Sequence, residues 1–126
     1  MRTNAIDKSQ LAKTGQEFRD LVASDADWIV RSADDLMQFR TAGDNAHSRV
    51  PERDYKIFVD GLEFKNGGVV TGSYRPLMAS LTISEIFDVF ESFGMERGLA
   101  LETQEAECVG GQCEFSFWSF CSSLCG

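Results

Sequence analysis

The chain has 126 residues, with 43% hydrophobic and 25% charged side chains, the length and usage of one ordinary globular domain and not of a disordered chain. Such a domain buries roughly two-thirds of the surface its unfolded chain exposes. Twelve basic and 20 acidic residues give a net charge of −8, unevenly placed: residues 1–56 hold 9 basic and 10 acidic side chains, residues 57–126 hold 3 and 10, and no base follows Arg97. Nucleic-acid binding works by neutralising phosphates with Lys and Arg, so this balance argues against it, and likewise against an anionic membrane surface. A protein partner or self-association is left. The longest apolar runs, such as Trp28-Ile29-Val30, fall far short of the roughly 18 residues a membrane span needs. The opening MRTNAIDKSQ has no signal-like apolar stretch, so the expected location is the cytoplasm.

In chain order, Leu11, Phe18, Leu21 and Val22 recur at helical spacing and predict an amphipathic helix over residues 9–23. Ser24 and Asp27 have capping-pair spacing, opening a second helix through about Arg40 whose buried side is Trp28, Ile29, Ala33, Leu36 and Phe39. Gly43-Asp44-Asn45 ends it, and a polar loop follows to Val50. Residues 51–66 carry two signals. Pro51, the acids Glu52 and Asp54, and the stripe Tyr55, Phe58, Val59, Leu62 predict a helix ending at Lys65-Asn66-Gly67. Gly61 is unfavourable inside a helix by about 1 kcal/mol, and Asn66-Gly67 is equally a hairpin turn. The helix is the favoured reading. Val69, Val70, Thr71 and Tyr74 make a short extended piece that Arg75-Pro76 interrupts. Thr82-Ile83-Ser84-Glu85 has capping-box spacing, and Ile83, Ile86, Phe87, Phe90 and Phe93 follow at helical intervals up to Gly94.

The last segment reads as a hairpin, GLALETQEAECV and QCEFSFWSF joined through Gly110-Gly111, with Val109 facing Gln112 and Cys108 facing Cys113. All four cysteines, Cys108, Cys113, Cys121 and Cys125, fall in the final 19 residues, so they are expected to act together. One chemistry is disulfide: four cysteines allow three pairings, and local hairpin geometry favours Cys108–Cys113 with Cys121–Cys125. A second is a four-thiolate site for zinc, built from the same four residues. Its spacing, C-x4-C and C-x3-C seven residues apart, departs from the two-residue gaps of common structural zinc sites. Free thiols are the remaining state. A third chemistry comes from a resemblance. LETQEAECVGG followed by QCEFSFWSFCSSLCG resembles, over residues 99–126, the double-glycine leader end and Cys/Ser-rich core of lanthipeptide precursors. That resemblance implies cleavage after Gly111, dehydration of Ser116, Ser119, Ser122 and Ser123, and thioether rings closed by Cys113, Cys121 and Cys125.

Phe115, Phe117, Trp118 and Phe120 place large aromatic area on both faces of one strand. One face is expected to pack on the helices, and surplus area marks an interface. No catalytic set emerges. His47, the single histidine, falls in the polar loop and is expected to be solvated. Lys65-Asn66-Gly67-Gly68 lacks the Lys-Ser/Thr ending of a phosphate loop. The expectation is therefore one α+β domain over residues 1–126. It has three or four helices around Phe18, Trp28, Leu36, Phe58, Leu62, Ile86, Phe87 and Phe90, and a Cys-rich hairpin and tail over residues 98–126. Its expected role is non-enzymatic, binding or assembly through the aromatic hairpin and without a cofactor. The modified-peptide precursor and the zinc module are the alternatives.

Overall fold

The computed structural model describes residues 5–126; the first four residues of the N-terminal stretch read above lie outside the described residues. Among those described, six α-helices pack against one antiparallel sheet: α1 (Gly15–Ala23), α2 (Ala33–Thr41), α3 (Ala46–Arg49), α4 (Glu52–Asp60), α5 (Ile83–Ser92) and α6 (Arg97–Thr103), with β1 (Glu63–Lys65), β2 (Gly68–Ser73), β3 (Gln104–Val109) and β4 (Gln112–Cys121). The sheet order is β1-β2-β4-β3. The fold is a small α+β domain with its cysteines at the C-terminal end. Two of its helices, α3 and α6, are short pieces that helical periodicity does not reveal.

Helix α1 starts later than expected because Thr14 takes the N-cap, its hydroxyl accepting from the Glu17 amide at 3.1 Å. Before it, Lys8–Gln10 make one 3-10 turn and Ala12 is tied to a distant segment: Ala12 N–H donates to Gly94 O and Ala12 O accepts from the Glu96 amide. Ser24 closes α1 instead of opening α2, its amide and hydroxyl donating to Leu21 O. Trp28-Ile29-Val30 is therefore a buried, non-helical segment, tied by Val30 N–H to Ser92 O at 2.8 Å. Ser32 caps α2. Arg31 fixes this corner: its guanidinium donates to the carbonyls of Val22, Ser24, Ala26 and Gly67, supplying partners to the open end of α1 and to the β1–β2 turn.

Both signals in residues 51–66 are real. Helix α4 stops at Gly61, and the chain then enters a hairpin whose turn is Asn66-Gly67, with φ of 56° and 87°. The helix expected to run to Lys65 is thus corrected to one ending at Asp60. Helix α5 carries the expected capping box between Thr82 and Glu85. Its buried stripe is Ile86, Val89, Phe90 and, just beyond it, Phe93. Ile83, at the first helical position, is off that stripe and 75% exposed. The core lies between helices and sheet around Phe18, Trp28, Leu36, Phe58, Leu62, Ile86 and Phe90, with Phe87 packed at its edge. Phe120 enters it from β4, its ring 5.0 Å from that of Phe90 and 5.9 Å from that of Phe93. Gly72 is needed beneath this contact, where a Cβ would collide with Leu62.

Candidate functional site

The β3–β4 turn is Gly110-Gly111, with φ of 60° and 83°, and the pairing is regular from Val109↔Gln112 to Ala106↔Phe115. The next residue of β3 with a Cα partner is Gln104, and it faces Phe120. Glu105 alone therefore stands opposite Ser116, Phe117, Trp118 and Ser119, and the surplus chain of β4 bulges.

Glu105 and Trp118 both have φ of 63°. For a residue with a Cβ this left-handed backbone costs about 1–2 kcal/mol, and it persists only where the surroundings over-determine it. They do so here. The Trp118 amide donates to Glu105 Oε2 at 3.0 Å. The Trp118 carbonyl accepts from the Tyr74 amide at 2.9 Å and the Ser73 hydroxyl at 3.1 Å. Glu105 Oε1 accepts from the Tyr74 phenol. The hydroxyls of Ser116 and Ser119 meet at 3.2 Å across the bulge. Burial, and then the hydrogen bond and charge of Glu105, push the Tyr74 phenol above its ordinary value, so it remains protonated and a donor.

The bulge points aromatic rings at solvent: Phe115 is 71%, Phe117 67% and Trp118 38% exposed. Phe115 and Phe117 meet edge-on at 4.8 Å, and Phe117 and Trp118 lie 6.2 Å apart. Trp118 also forms one wall of an apolar groove of about 420 Å³ with Tyr74, Met78, Ile83, Phe87 and Leu101. Met78, Ile83 and Leu101 are exposed, so patch and groove make one apolar surface. Arg97, at its edge, lies 5.7 Å over the Phe87 ring and pairs with Asp88. The surrounding chain is acidic: Glu102, Glu105, Glu107 and Glu114. Glu107 faces Glu114 across the ladder, an unfavourable like-charge pair, and neither forms an ion pair with a described residue.

Of the four aromatics expected at an interface, Phe120 is corrected: it is 0% exposed, because its face of β4 packs against Phe90 and Phe93. Met78, Ile83 and Leu101 were not legible as site residues, since three separate elements bring them together. The cysteines are bridged, but as Cys108–Cys125 and Cys113–Cys121. The register that sets Cys108 opposite Cys113 is as expected. The pairing differs because the tail runs on along β2 past Cys121. Ser122 donates from its amide to Val70 O at 2.8 Å and from its hydroxyl to Val69 O at 2.7 Å, which carries Cys125 to Cys108. The serines read as modification sites sit in this folded tail. Ser119 and Ser122 are buried, Ser116 is half-buried, and the half-buried Ser123 donates to Gly15 O at 2.7 Å.

His47 is also corrected. It is 3% exposed, because Asn45 builds a capping box that starts α3 and turns the imidazole inward. Its ring stacks on Phe39 at 5.3 Å, with Nδ1 2.9 Å from the Tyr55 phenol and Nε2 3.1 Å from the Ser92 hydroxyl. Burial and the Arg40 charge hold its pKa down at about 4. Ser92 is buried too and donates to Val89 O, so this His–Ser pair is closed to substrate and its role is in the core.

No helix among the described residues is long and apolar enough to cross a membrane. No family model, curated protein or solved structure matches the chain.

Proposed function

We propose that the chain is a binding module whose aromatic bulge and adjoining groove receive an amphipathic segment of a partner protein, apolar on one face and flanked by Lys or Arg. Trp118 carries this reading: a bulky side chain in left-handed backbone, locked at both its amide and its carbonyl, is set beside an apolar groove. Strain of this kind gathers where a ligand is held, and rigid aromatic anchors dominate binding energy because little rotamer freedom is lost on association. The partner's basic flanks follow from the charge: the last 29 residues hold four glutamates and no base, so complementarity favours cations in rate and specificity. Residues beyond Gly111 supply both the bulge and Phe120 of the core, which supports the intact tail as the working part. The two bridges support an oxidising compartment over a reducing cytoplasm.

The test is a titration of the full chain with a labelled helical peptide of alternating Leu and Lys faces, beside a Leu/Glu peptide of equal length. The Lys peptide should bind and the Glu peptide should not. Trp118→Ser should weaken binding by roughly 30-fold, the scale of a 2 kcal/mol anchor, with circular dichroism unchanged. Equal binding of both peptides, or an unaffected Trp118→Ser, overturns the reading. Sedimentation that shows a dimer abolished by Phe117→Ser would assign the surface to a second copy instead.

A further inference from the structure

We propose that the two bridges of the hairpin are the oxidised form of a four-thiolate site for Zn²⁺. The Sγ atoms of Cys108, Cys121 and Cys125 lie within 4.8 Å of one another, although Cys121 is bonded to neither of the other two. Cys113 Sγ stands outside this trio but is bonded to that of Cys121, so a fourth sulfur adjoins it. Two bridges that merely brace a ribbon have no need to meet. Zinc held tetrahedrally at roughly 2.3 Å from each sulfur spaces its thiolates about 3.8 Å apart, within the spread of the Cys108, Cys121 and Cys125 sulfurs. The paired Cα atoms are 5.6 and 5.7 Å apart, so the two thiols of each opened bridge stay near one another.

The frame around the cluster suits a cation that must be held and reached. Cys108 is in β3, Cys113 and Cys121 are in β4, and Cys125 is in the tail that Ser122 ties to β2. Lys65 donates to the carbonyl of Gly126, which places an ammonium group near the cluster, where it would offset part of the negative charge of a tetrathiolate. Glu63 lines the same cavity and opposes that effect. This cavity, about 330 Å³ between Phe64, Lys65, Cys108, Leu124 and Gly126, opens beside the cluster and gives the ion a route in. Thiolates select soft or borderline cations over Mg²⁺ and Ca²⁺.

The chemistry balances as follows. Each bridge takes two electrons and two protons from a small dithiol, which leaves as its cyclic disulfide. The four thiols then bind one Zn²⁺ and release up to four protons. Two equivalents of a small disulfide, which together take up four electrons and four protons and leave as thiols, rebuild both bridges and expel the cation. None of this depends on the groove described above, so either conclusion can fail alone.

In the test, the full chain is reduced with a phosphine under argon, desalted, and titrated with Co²⁺ and then Zn²⁺. One Co²⁺ per chain should bind, with thiolate-to-metal charge transfer and tetrahedral d–d bands that Zn²⁺ abolishes. Native mass should show one zinc gained and four protons lost, and the oxidised chain should take up no metal. Cys113→Ser should weaken binding by more than the roughly 100-fold that loss of an outer-shell partner alone can cost. If reduction unfolds the hairpin, zinc must restore its strand signal, as metal-coupled folding requires. The site is overturned by a reduced chain that binds no cobalt or binds it octahedrally. It is equally overturned by undiminished binding in Cys113→Ser, or by an oxidised chain that binds as well.

Discussion

Acid should weaken this protein through His47, and the size of the effect follows from its surroundings. Tyr55 donates its phenol proton to Leu36 O, and Ser92 donates to Val89 O, so both oxygens facing the ring can accept from it. The neutral ring needs only Ser92 to swing its hydroxyl towards Nε2. The charged ring is disfavoured by burial and by Arg40, whose guanidinium lies 4.8 Å over the Tyr55 ring and donates to the His47 carbonyl. The folded pKa is therefore about 4, against 6.5 for the ordinary group. A base whose pKa is lowered by folding binds more protons unfolded, so stability is full above pH 6.5 and falls between 6.5 and 4. The linkage integral gives a loss of about 1.4 kcal/mol at pH 5.5 and about 2.5 kcal/mol at pH 4.5. Carboxylates add to it, since Glu85 is held below its ordinary range by the Thr82 amide and Arg49. His47→Gln removes the titration and keeps a side chain that can bond on both sides. Urea unfolding of both proteins at pH 7.5 and 4.5 cancels the carboxylates in the double difference. The wild type should lose about 2.5 kcal/mol more than the variant. Parallel losses would refute the buried neutral ring, and a wild type that gains on acidification would show that the two accepting oxygens outweigh burial.

Three further outcomes test the packing and the bridges. Phe120→Ala should cost about 3–5 kcal/mol in chemical denaturation, while Phe117→Ala should stay within about 0.5 kcal/mol; similar losses would contradict the inward and outward placements. Peptide mapping without reductant should yield Cys108 linked to Cys125 and Cys113 to Cys121. With separations of 17 and 8 residues, loop entropy makes replacing each pair by Ala cost roughly 3 and 2.5 kcal/mol. A fragment linking Cys108 to Cys113 would refute this connectivity. Arg31→Met leaves four carbonyls without their shared donor and should cost about 2 kcal/mol or more; a melting temperature within a degree of wild type would show that water replaces the guanidinium fully.

Short-range chemistry was legible wherever one signal acted alone. The capping box of Thr82 and Glu85, the stripe Ile86, Phe90, Phe93 and the Gly110-Gly111 turn are local patterns, and α5 and the hairpin register follow them. Local patterns misled where two caps competed or where tertiary bonds claimed a segment. Ser24 could open a helix or close one, and Arg31 together with the Val30–Ser92 bond decides the matter from residues far along the chain. His47 looked solvated because its loop is polar, but the Asn45 capping box starts α3 and turns the ring in among Phe39, Tyr55 and Ser92. The disulfide pairing depends on the path of the tail, which adjacency in the hairpin does not encode.

The bulge is the deepest of these cases. Regular alternation in FSFWSF would set Trp118 on the face of Phe120, in the core, with Phe115 and Phe117 opposite. The surplus residues break that phase after Phe115, and Trp118 leaves the core while Phe120 stays in it. Nothing in the residues 115–120 asks for this. The demand comes from Glu105 and Tyr74, which offer the Trp118 amide an acceptor and its carbonyl a donor only when its backbone is left-handed. Backbone strain and side-chain use are thus separable at one position. Trp118→Gly frees a φ of 63° of its roughly 1 kcal/mol penalty and removes the indole. The bulge, read in nuclear magnetic resonance by the amide signals of Tyr74 and of the substituted position, should persist while peptide binding is lost. A bulge that collapses to regular pairing would instead show that the indole, and not the carboxylate of Glu105, holds the chain out of register.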